Sequence, residues 1–510
     1  MSVTAKMPRR ALTTAPPSAP PTVVPAMARP DRIEANSFDV FDTLIARRCH
    51  LPWRVFEQIG ARIGRPDFLQ VRLAAEAHFA GKDYTLADIY ARLATLWGLP
   101  AELAEQLKAM EVATELENVI PIQENLDKVR HGDVLVSDMY LPEAVIRSLL
   151  DEAGLDKRVA LIVTTHGKRA GYIWPQLTEQ VAVAQHLGDN ALVDLEMPIR
   201  CGVNAELTAV SSPSHVESWL AQNGLPNLAL AVREARLRTA HSDPALRSLQ
   251  RIQIEINLPI LLLASVQLAR VAREAEAERL LFCSRDCELW LELWRVLGAR
   301  TGVATESIYF LTSRRARRTA SSDYLAYARS LLDKRALVVD ICGTGWSLSH
   351  LFETLGLSGR HAFVIHHTQP LAMYEQQAPT PGTCTHHAAM KPEQPIPNVA
   401  IELINTAEHG SVIDVQMVAG TAVPIFDTHT TTPRVGAACA AQRAAFRSAL
   451  DALKRHNLDE VFAQPPERIA ALIQPLYERL GAQAALREVL FDNYLDESHK
   501  TYQALGLAVA

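Results

Sequence analysis

Four short segments in the amino-terminal half of the chain each set a reactive side chain where a strand should end or a helix begin. Asp39 lies in S-F-D-V-F-D-T-L, Ser137 in V-L-V-S-D-M-Y, Lys168 in T-H-G-K-R-A-G, and Asp189 with Asp194 in H-L-G-D-N-A-L-V-D. Together they supply a carboxylate nucleophile, a hydroxyl, an ammonium and a carboxylate pair, a set suited to phosphoryl transfer. An ionised Asp can attack phosphorus to give an acyl-phosphate, while a lysine and a divalent cation offset the charge that would repel it. Mg²⁺ is the expected cofactor because it takes oxygen ligands, usually carboxylates with water and substrate phosphate. Asp39 and Asp189 would meet at that ion, Ser137 would donate to a phosphoryl oxygen, and Lys168 would hold phosphate and nucleophile together. Each residue alone also has a purely structural reading. An Asp at a strand end commonly caps a turn or helix, and a lone Lys or G-D-N is commonly a solvated loop. Taken together, the four segments supply every group such chemistry needs.

Distant residues of this kind need a scaffold that gathers them. The apolar approach Ile33 to Phe38 predicts a strand ending at Asp39. Further strands are predicted at Asp133 to Asp138 and Val159 to Thr164, separated by a helix near Pro142 to Ala153, and another helix leads to Leu187 to Asn190. Such alternation argues for a parallel sheet covered on both faces. Between the first two motifs, from about Trp53 to Asn118, apolar residues recur at helical intervals: Val55, Ile59, Ile63, Leu73, Leu86, Ile89, Tyr90, Leu93, Leu96, Leu103, Leu107 and Met110. This predicts an all-helical insertion.

The four motifs, in this order, resemble the haloacid dehalogenase (HAD) superfamily over residues 33 to 205. The resemblance implies a HAD-like Rossmannoid α/β sheet, with a helical cap at about 53–118 that closes over the substrate. More narrowly, S-F-D-V-F-D-T-L, V-S-D-M-Y-L-P and G-D-N look like a predicted-hydrolase branch found with surface-polysaccharide biosynthesis proteins. The implied activity is Mg²⁺-dependent hydrolysis or transfer of the phosphoryl group of a small phosphorylated metabolite, such as a sugar phosphate. Asp39 would be the nucleophile, Ser137 and Lys168 the phosphate clamps, and Asp39, Asp189 and Asp194 the acidic side of the metal. One departure bears on mechanism. Phosphatases of this superfamily carry a second Asp two residues after the nucleophile, as general acid and base; here that residue is Phe41. The Phe41 carbonyl can keep the metal contact implied by the family, but the acid is missing. Asp42 is the candidate substitute, although strand alternation points it to the opposite side unless the turn redirects it. A competing reading is therefore a non-catalytic protein that binds a phosphorylated ligand or organises a biosynthetic partner.

The carboxy-terminal half holds a second constellation. Leu337 to Ser347 reads as strand, glycine turn and helix start, with Asp340, Gly343, Thr344, Gly345 and Ser347 forming an anion cradle. Arg314 and Arg315, in a run that continues to Arg317 and Arg318, follow an earlier strand and could bind a phosphate bidentately. A solvated basic turn is the alternative. Residues 279 to 368 loosely resemble the phosphoribosyltransferase fold, with Val339 in place of the first acidic residue of its loop. The pairs His366-His367 and His386-His387, with Cys384 nearby, do not suit zinc, because neighbouring side chains on a strand point to opposite faces.

The whole chain has 510 residues, 48% of them hydrophobic and 21% charged, which fits folded domains and excludes global disorder. With 51 basic against 57 acidic residues, the net charge of −6 gives no general attraction to nucleic acid or acidic lipid. Seven scattered cysteines without a C-x-x-C pair, no leader pattern and no evident membrane-spanning run lead to the expectation of a reduced, cytoplasmic protein. The domain reading is a proline-rich disordered tail at 1–30, the HAD-like domain at 31–210, a linker at 211–227, a second α/β domain at 228–432 and a helical tail at 433–510. The long apolar helix at about Leu246 to Ala277 is expected to kink or split at Pro259.

Overall fold

The computed structural model describes residues 33–332, 335–368, 379–391, 398–427 and 432–490. The proline-rich stretch 1–30 and the end of the expected helical tail lie outside the described residues. The chain forms two α/β units, each built on a five-stranded parallel sheet.

In the first unit the strands are β1 (Ile33–Phe38), β2 (Ile45–Arg47), β3 (Val119–Pro121), β4 (Val134–Asp138), β5 (Ala160–Thr164), β6 (Val181–Gly188) and β7 (Ala205–Leu207). The sheet order is β5-β4-β1-β6-β7, with every pairing parallel. The chain winds outward from β1 through β4 to β5, then returns to the other side of β1 with β6. Open parallel sheets bind ligands beyond the carboxyl ends of their strands at such a reversal. Both faces are covered, as the alternation predicts. Leu135, Leu161 and Leu187 pack on one side with Leu149 and Leu150, while Val134 and Val136 pack on the other with Trp174 and Leu177.

The helical insertion is four helices, α1 (Trp53–Arg62), α2 (Phe68–Ala77), α3 (Leu86–Trp97) and α4 (Ala101–Asn118), entered and left through the antiparallel ribbon β2/β3. Val55, Ile59, Leu86, Ile89, Leu93 and Leu107 are buried, as their spacing predicts. Leu73, Leu96 and Leu103 remain exposed. An ion pair supplements the apolar packing: Arg72 donates to both oxygens of Glu111 at 2.7 and 2.8 Å, and the Tyr90 hydroxyl donates to Glu111 Oε2 at 2.7 Å.

The second unit contains β8 (Arg279–Cys283), β9 (Glu306–Phe310), β10 (Ala336–Val339), β11 (Cys342–Gly343), β12 (Arg360–Val364), β13 (His366–His367), β14 (Cys384–Ala388) and an unanticipated hairpin, β15 (Val412–Val418) with β16 (Thr421–Phe426). Its main sheet runs β14-β12-β10-β8-β9, all parallel. The long helix is not split at Pro259. It continues from Pro244–Ile252 through a π-turn, Gln253–Asn257, into Leu258–Glu274, and the wider turn just before the proline accommodates its missing amide and its ring. By length and composition this stretch could cross a membrane, but 89% of its most apolar window is buried inside the fold.

Two boundaries differ from the sequence reading. The expected linker 211–227 carries helix His215–Gln222, and its Val216, Leu220 and Leu225 belong to the core of the second unit. The described part of the expected tail is likewise core: Phe446, Leu450, Ile469, Leu472 and Leu476 pack with Leu261, Phe282 and Phe363. The two units join through an apolar contact of Leu237 with Ala46, Ile120 and Ile122. Ion pairs from Arg48 to Glu234 (3.0 Å) and from Arg247 and Arg251 to Glu124 (2.9 and 3.0 Å) flank it.

Candidate functional site

Asp39 is the first residue beyond β1, and its amide donates to Leu187 O on β6 at 2.9 Å, so it sits at the reversal of the sheet. Lys168 Nζ donates to Asp39 Oδ1 at 2.5 Å and to Asp194 Oδ1 at 2.6 Å, and all three residues are buried. Thr43 Oγ1 donates to the other Asp39 oxygen at 3.0 Å. The sequence thus brings residues 39, 168 and 194 to one point.

Each side chain has a local cause for its position. Lys168 lies in the one-turn helix Gly167–Ala170, whose amides at Lys168 and Arg169 donate to the Asp138 carboxylate at 3.0 and 3.2 Å, while Thr164 Oγ1 bonds the same group. Asp138 therefore anchors the loop that aims the ammonium. Asp194 is turned back by the π-helix Ala191–Glu196, capped by Asn190, and Asn190 N donates to Asp194 Oδ2 at 3.1 Å. His186 Nε2 lies 3.3 Å from Asp194 Oδ1, and His186 Nδ1 lies 2.8 Å from Ser37 Oγ. An ionised carboxylate can only accept, so Nε2 carries the proton and Nδ1 accepts from the serine.

The charges settle accordingly. Burial pushes the Asp39 carboxyl up to about 6; Lys168 pulls it down and the Asp194 charge pushes it further up. Asp194 goes the other way: burial would raise it, but the His186 hydrogen bond and the Lys168 ammonium hold it at about 2. Burial disfavours the Lys168 ammonium, yet Asp39 and Asp194 together raise its pKa well above the usual lysine value. Burial lowers that of His186 and keeps it neutral. Asp189 stands exposed at the mouth, where partial desolvation and the charges of Asp39, Asp42 and Asp194, in that order, push it up to about 7.

Ligand oxygens of Asp39, Asp189 and Asp194 lie within 4.8 Å of one another, so this acidic triad could hold a metal ion. Burial first, and then neighbouring negative charge, raises Asp39 and Asp189, and a cation would offset that charge. Oxygen donors alone suit a hard divalent ion. The Phe41 carbonyl accepts no hydrogen bond among the described residues. Asp194 is the most committed of the three, its oxygens already engaged by Lys168, His186 and Asn190. Ser137 lies one strand over, two positions beyond the Leu135 that pairs with Phe38, and its buried hydroxyl has no partner among the described residues.

No protein-family model and no curated protein matches this chain.

Asp42 does not follow strand alternation. The strand has ended, Asp42 adopts a left-handed backbone (φ 56°), and its amide donates to Ile45 O at 2.7 Å. The turn thus takes Asp42 off the strand path: its carboxylate lies 3.8 Å from Arg233 Nη2, and its charge adds to the rise of Asp189. The ring of Phe41 lies under the Arg47 guanidinium, 4.7 Å from ring centre to Cζ. Asp138, His186 and Ser37 were within the quoted motifs, but without an assigned role; only their contacts reveal one.

The second constellation is partly gathered. Asp340 follows β10, and its carboxylate lies 3.4 Å from Arg317 Nη2; Arg317 Nη1 donates to Ser347 Oγ at 3.0 Å. Arg317, not Arg314 or Arg315, is thus the arginine aimed at the loop. Arg314 is exposed, and Arg315 lies 3.8 Å from Asp427. Thr344 Oγ1 accepts from Trp346 N at 3.2 Å. Gly343 and Gly345 have positive φ, and the His386 ring occupies the space where a Cβ on Gly345 would lie. His387 hydrogen-bonds His361 at 3.0 Å, and His366 packs on Tyr477, so the paired histidines separate.

Proposed function

We propose that this protein is a HAD-type, Mg²⁺-dependent phosphohydrolase or phosphotransferase acting on a small phosphorylated metabolite through an aspartyl-phosphate. The observation that supports this most is the Lys168 ammonium bridging Asp39 and Asp194 at the reversal of a parallel sheet. Asp39, Asp189 and the Phe41 carbonyl would hold Mg²⁺, with Asp194 beside them; bound there, the ion offsets phosphoryl charge. Lys168 steadies both the nucleophile and a phosphoryl oxygen, and Ser137 offers its free hydroxyl to another.

In the first half-reaction an Asp39 oxygen bonds to phosphorus as the ester P–O bond breaks, and the departing oxygen takes a proton from Asp42. In the second, water attacks phosphorus, gives its proton back to Asp42, and Asp39 leaves as a carboxylate. Asp42 takes this role because Phe41 has no proton to exchange.

The test is turnover of a phosphomonoester panel with Mg²⁺ by the wild type and Asp39→Asn. Release of phosphate that the substitution abolishes is expected. Phosphate release unchanged in Asp39→Asn would overturn the assignment, and binding of fluoroberyllate with Mg²⁺ without turnover of any ester would favour a ligand-binding protein instead.

A further inference from the structure

The sheet of the second unit also reverses direction. Its chain runs from β8 to β9 on one side and then crosses to β10 on the other, so the reversal lies beyond the carboxyl ends of β8 and β10, where open parallel sheets take ligands. Asp286 is the third residue beyond β8, and Asp340 directly follows β10. The Asp286 side chain is 21% exposed, within reach of a ligand, yet desolvation pushes its carboxyl up to about 7; Arg285 pulls it down, and Glu402 and Asp340 push it further up. Among the described residues its one donor is Arg285 Nε, 3.4 Å from Oδ1. A guanidinium approaches from the far end of the chain. Arg443, on helix Pro433–Arg455, is 6% exposed. Its Nη2 donates to Glu288, two residues past Asp286, and its Nε lies 3.4 Å from Glu408. Its Nη1 is buried without a hydrogen-bond partner among the described residues. Buried donors are almost always satisfied, so this one marks a place for an acceptor. Tyr309 on β9 feels both groups: burial, then Glu288 and Asp286, raise its phenol, and Arg443 opposes them. His409 Nδ1 donates to Gly410 O at 2.9 Å, so its Nε2 accepts from the Tyr309 hydroxyl at 2.8 Å and leaves the phenol oxygen able to accept.

We propose that the β8/β10 reversal of the second unit is a sugar-binding site, in which a neutral polyol donates hydroxyls to the Asp286 carboxylate and accepts from Arg443 Nη1 beside the Tyr309 phenol. The charges select that class. An anion would satisfy Arg443 but meet Asp286, Asp340 and Glu402, whereas an ammonium would satisfy the acids and offer Arg443 nothing. Hydroxyl groups do both. Arg317 adds no spare cation for a phosphate, since its Nε donates to Thr312 Oγ1 at 3.0 Å, its Nη1 to Ser347 Oγ at 3.0 Å, and its Nη2 lies 3.4 Å from Asp340. Among the described residues no group of three metal-ligating side chains converges here. The site does not depend on the phosphoryl-transfer reading of Asp39. The sequence carries no sign of it, because Arg443 lies 155 residues from the Glu288 it bonds.

The experiment uses the full chain without Mg²⁺ and saturation-transfer NMR with free glucose, galactose, mannose and ribose, and inorganic phosphate is titrated beside them. At least one of the sugars is expected to bind the wild type. Its affinity should fall ~10-fold in Asp286→Asn and in Arg443→Gln, each of which removes one charge-assisted hydrogen bond, and should fall less in Tyr309→Phe. Asp39→Asn should bind it as the wild type does, which separates this site from the one in the first unit. Binding of none of the four sugars overturns the proposal, and so does a sugar signal indifferent to both Asp286→Asn and Arg443→Gln. Phosphate binding that is lost in Arg443→Gln and that no sugar displaces would make this an anion site and is equally fatal. Should Arg443→Gln not fold, Asp286→Asn and Tyr309→Phe decide, since a sugar signal unchanged in both also overturns the assignment. None of these failures touches the reading of Asp39, which stands or falls on phosphate release in Asp39→Asn.

Discussion

Gly188 and Asp194 share one space: a Cβ on Gly188 would lie 2.4 Å from Asp194 Cγ and 2.7 Å from its Oδ2. The carboxylate that holds Lys168 is therefore folded against the bare backbone at the end of β6. Gly188→Ala must push Asp194 away from Asn190 N, His186 and Lys168. Overpacking of this kind costs about 1–3 kcal/mol. The expected result is a lower Tm with loss of Mg²⁺ binding, measured by thermal unfolding and by titration with the ion; unchanged metal affinity would show that Asp194 contributes nothing to the cation.

Among the described residues the Asp138 carboxylate bonds the loop that carries Lys168 and none of the acidic triad, so it separates anchoring from chemistry. Its carboxylate accepts from two loop amides and the Thr164 hydroxyl. Asp138→Asn replaces one acceptor oxygen with a donor facing amide hydrogens, and charged hydrogen bonds of this type are worth about 1.5–3 kcal/mol. The variant should unfold earlier in urea and bind fluoroberyllate more weakly in the presence of Mg²⁺. Asp138→Glu should not restore it, because the longer chain cannot occupy the same place at the end of β4.

The acidic groups give the pH dependence opposite signs. Asp39 at about 6 and Asp189 at about 7 are raised, so the metal-free folded chain binds more protons than the unfolded one from about pH 4 to about pH 7. Their contribution to stability is present below that window and is lost as pH rises through it. Asp194, held at about 2, contributes stability above about pH 4 that is lost as pH falls toward 2. Metal-free Tm should therefore fall between about pH 4 and about pH 7, and Asp189→Asn should flatten that fall. Mg²⁺ binding should release protons near about pH 6.5 and almost none near about pH 9, read by calorimetry in buffers of different ionisation heat. Proton release equal at both values would mean that neither carboxyl titrates against the metal.

Much of the first unit was legible because its strands are short apolar runs that stop at polar residues. Ile33–Phe38 is the clearest case, observed as read. β6 was not read as a strand, since Gln185 and His186 interrupt its apolar pattern; His186 turns inward only because Ser37 and Asp194 satisfy its ring. Arginine spacing was misleading in the second unit. Four arginines on the one-turn helix Arg314–Arg318 point to different sides, and the Ser313 cap sets which one faces the core. That choice is a matter of helix phase, and composition does not carry it. The boundaries of the second unit were obscured for a related reason: Val216, Leu220 and Leu225 stand among turn-forming residues, yet all three are buried in the core that residues 433–490 also help to form.

The Arg72–Glu111 pair makes the helical insertion depend on a buried charge rather than on apolar packing alone. Arg72 and Glu111 are both fully buried, with the Arg72 guanidinium 4.4 Å from the Phe56 ring centre and 4.9 Å from that of Tyr140. Desolvating both groups is expensive, and their attraction roughly repays it. Removing one partner leaves the other buried without compensation, at about 3–5 kcal/mol. Arg72→Met should therefore destabilise the insertion sharply, seen as faster amide exchange across α1 to α4. The double variant Arg72→Met with Glu111→Leu should regain most of that loss, because apolar side chains of similar size fill the same space without a charge to strand. If the double variant were as unstable as the single one, the pair would be contributing net stability through its geometry with Tyr90 and Glu76, and the apolar alternative would be insufficient to close the insertion.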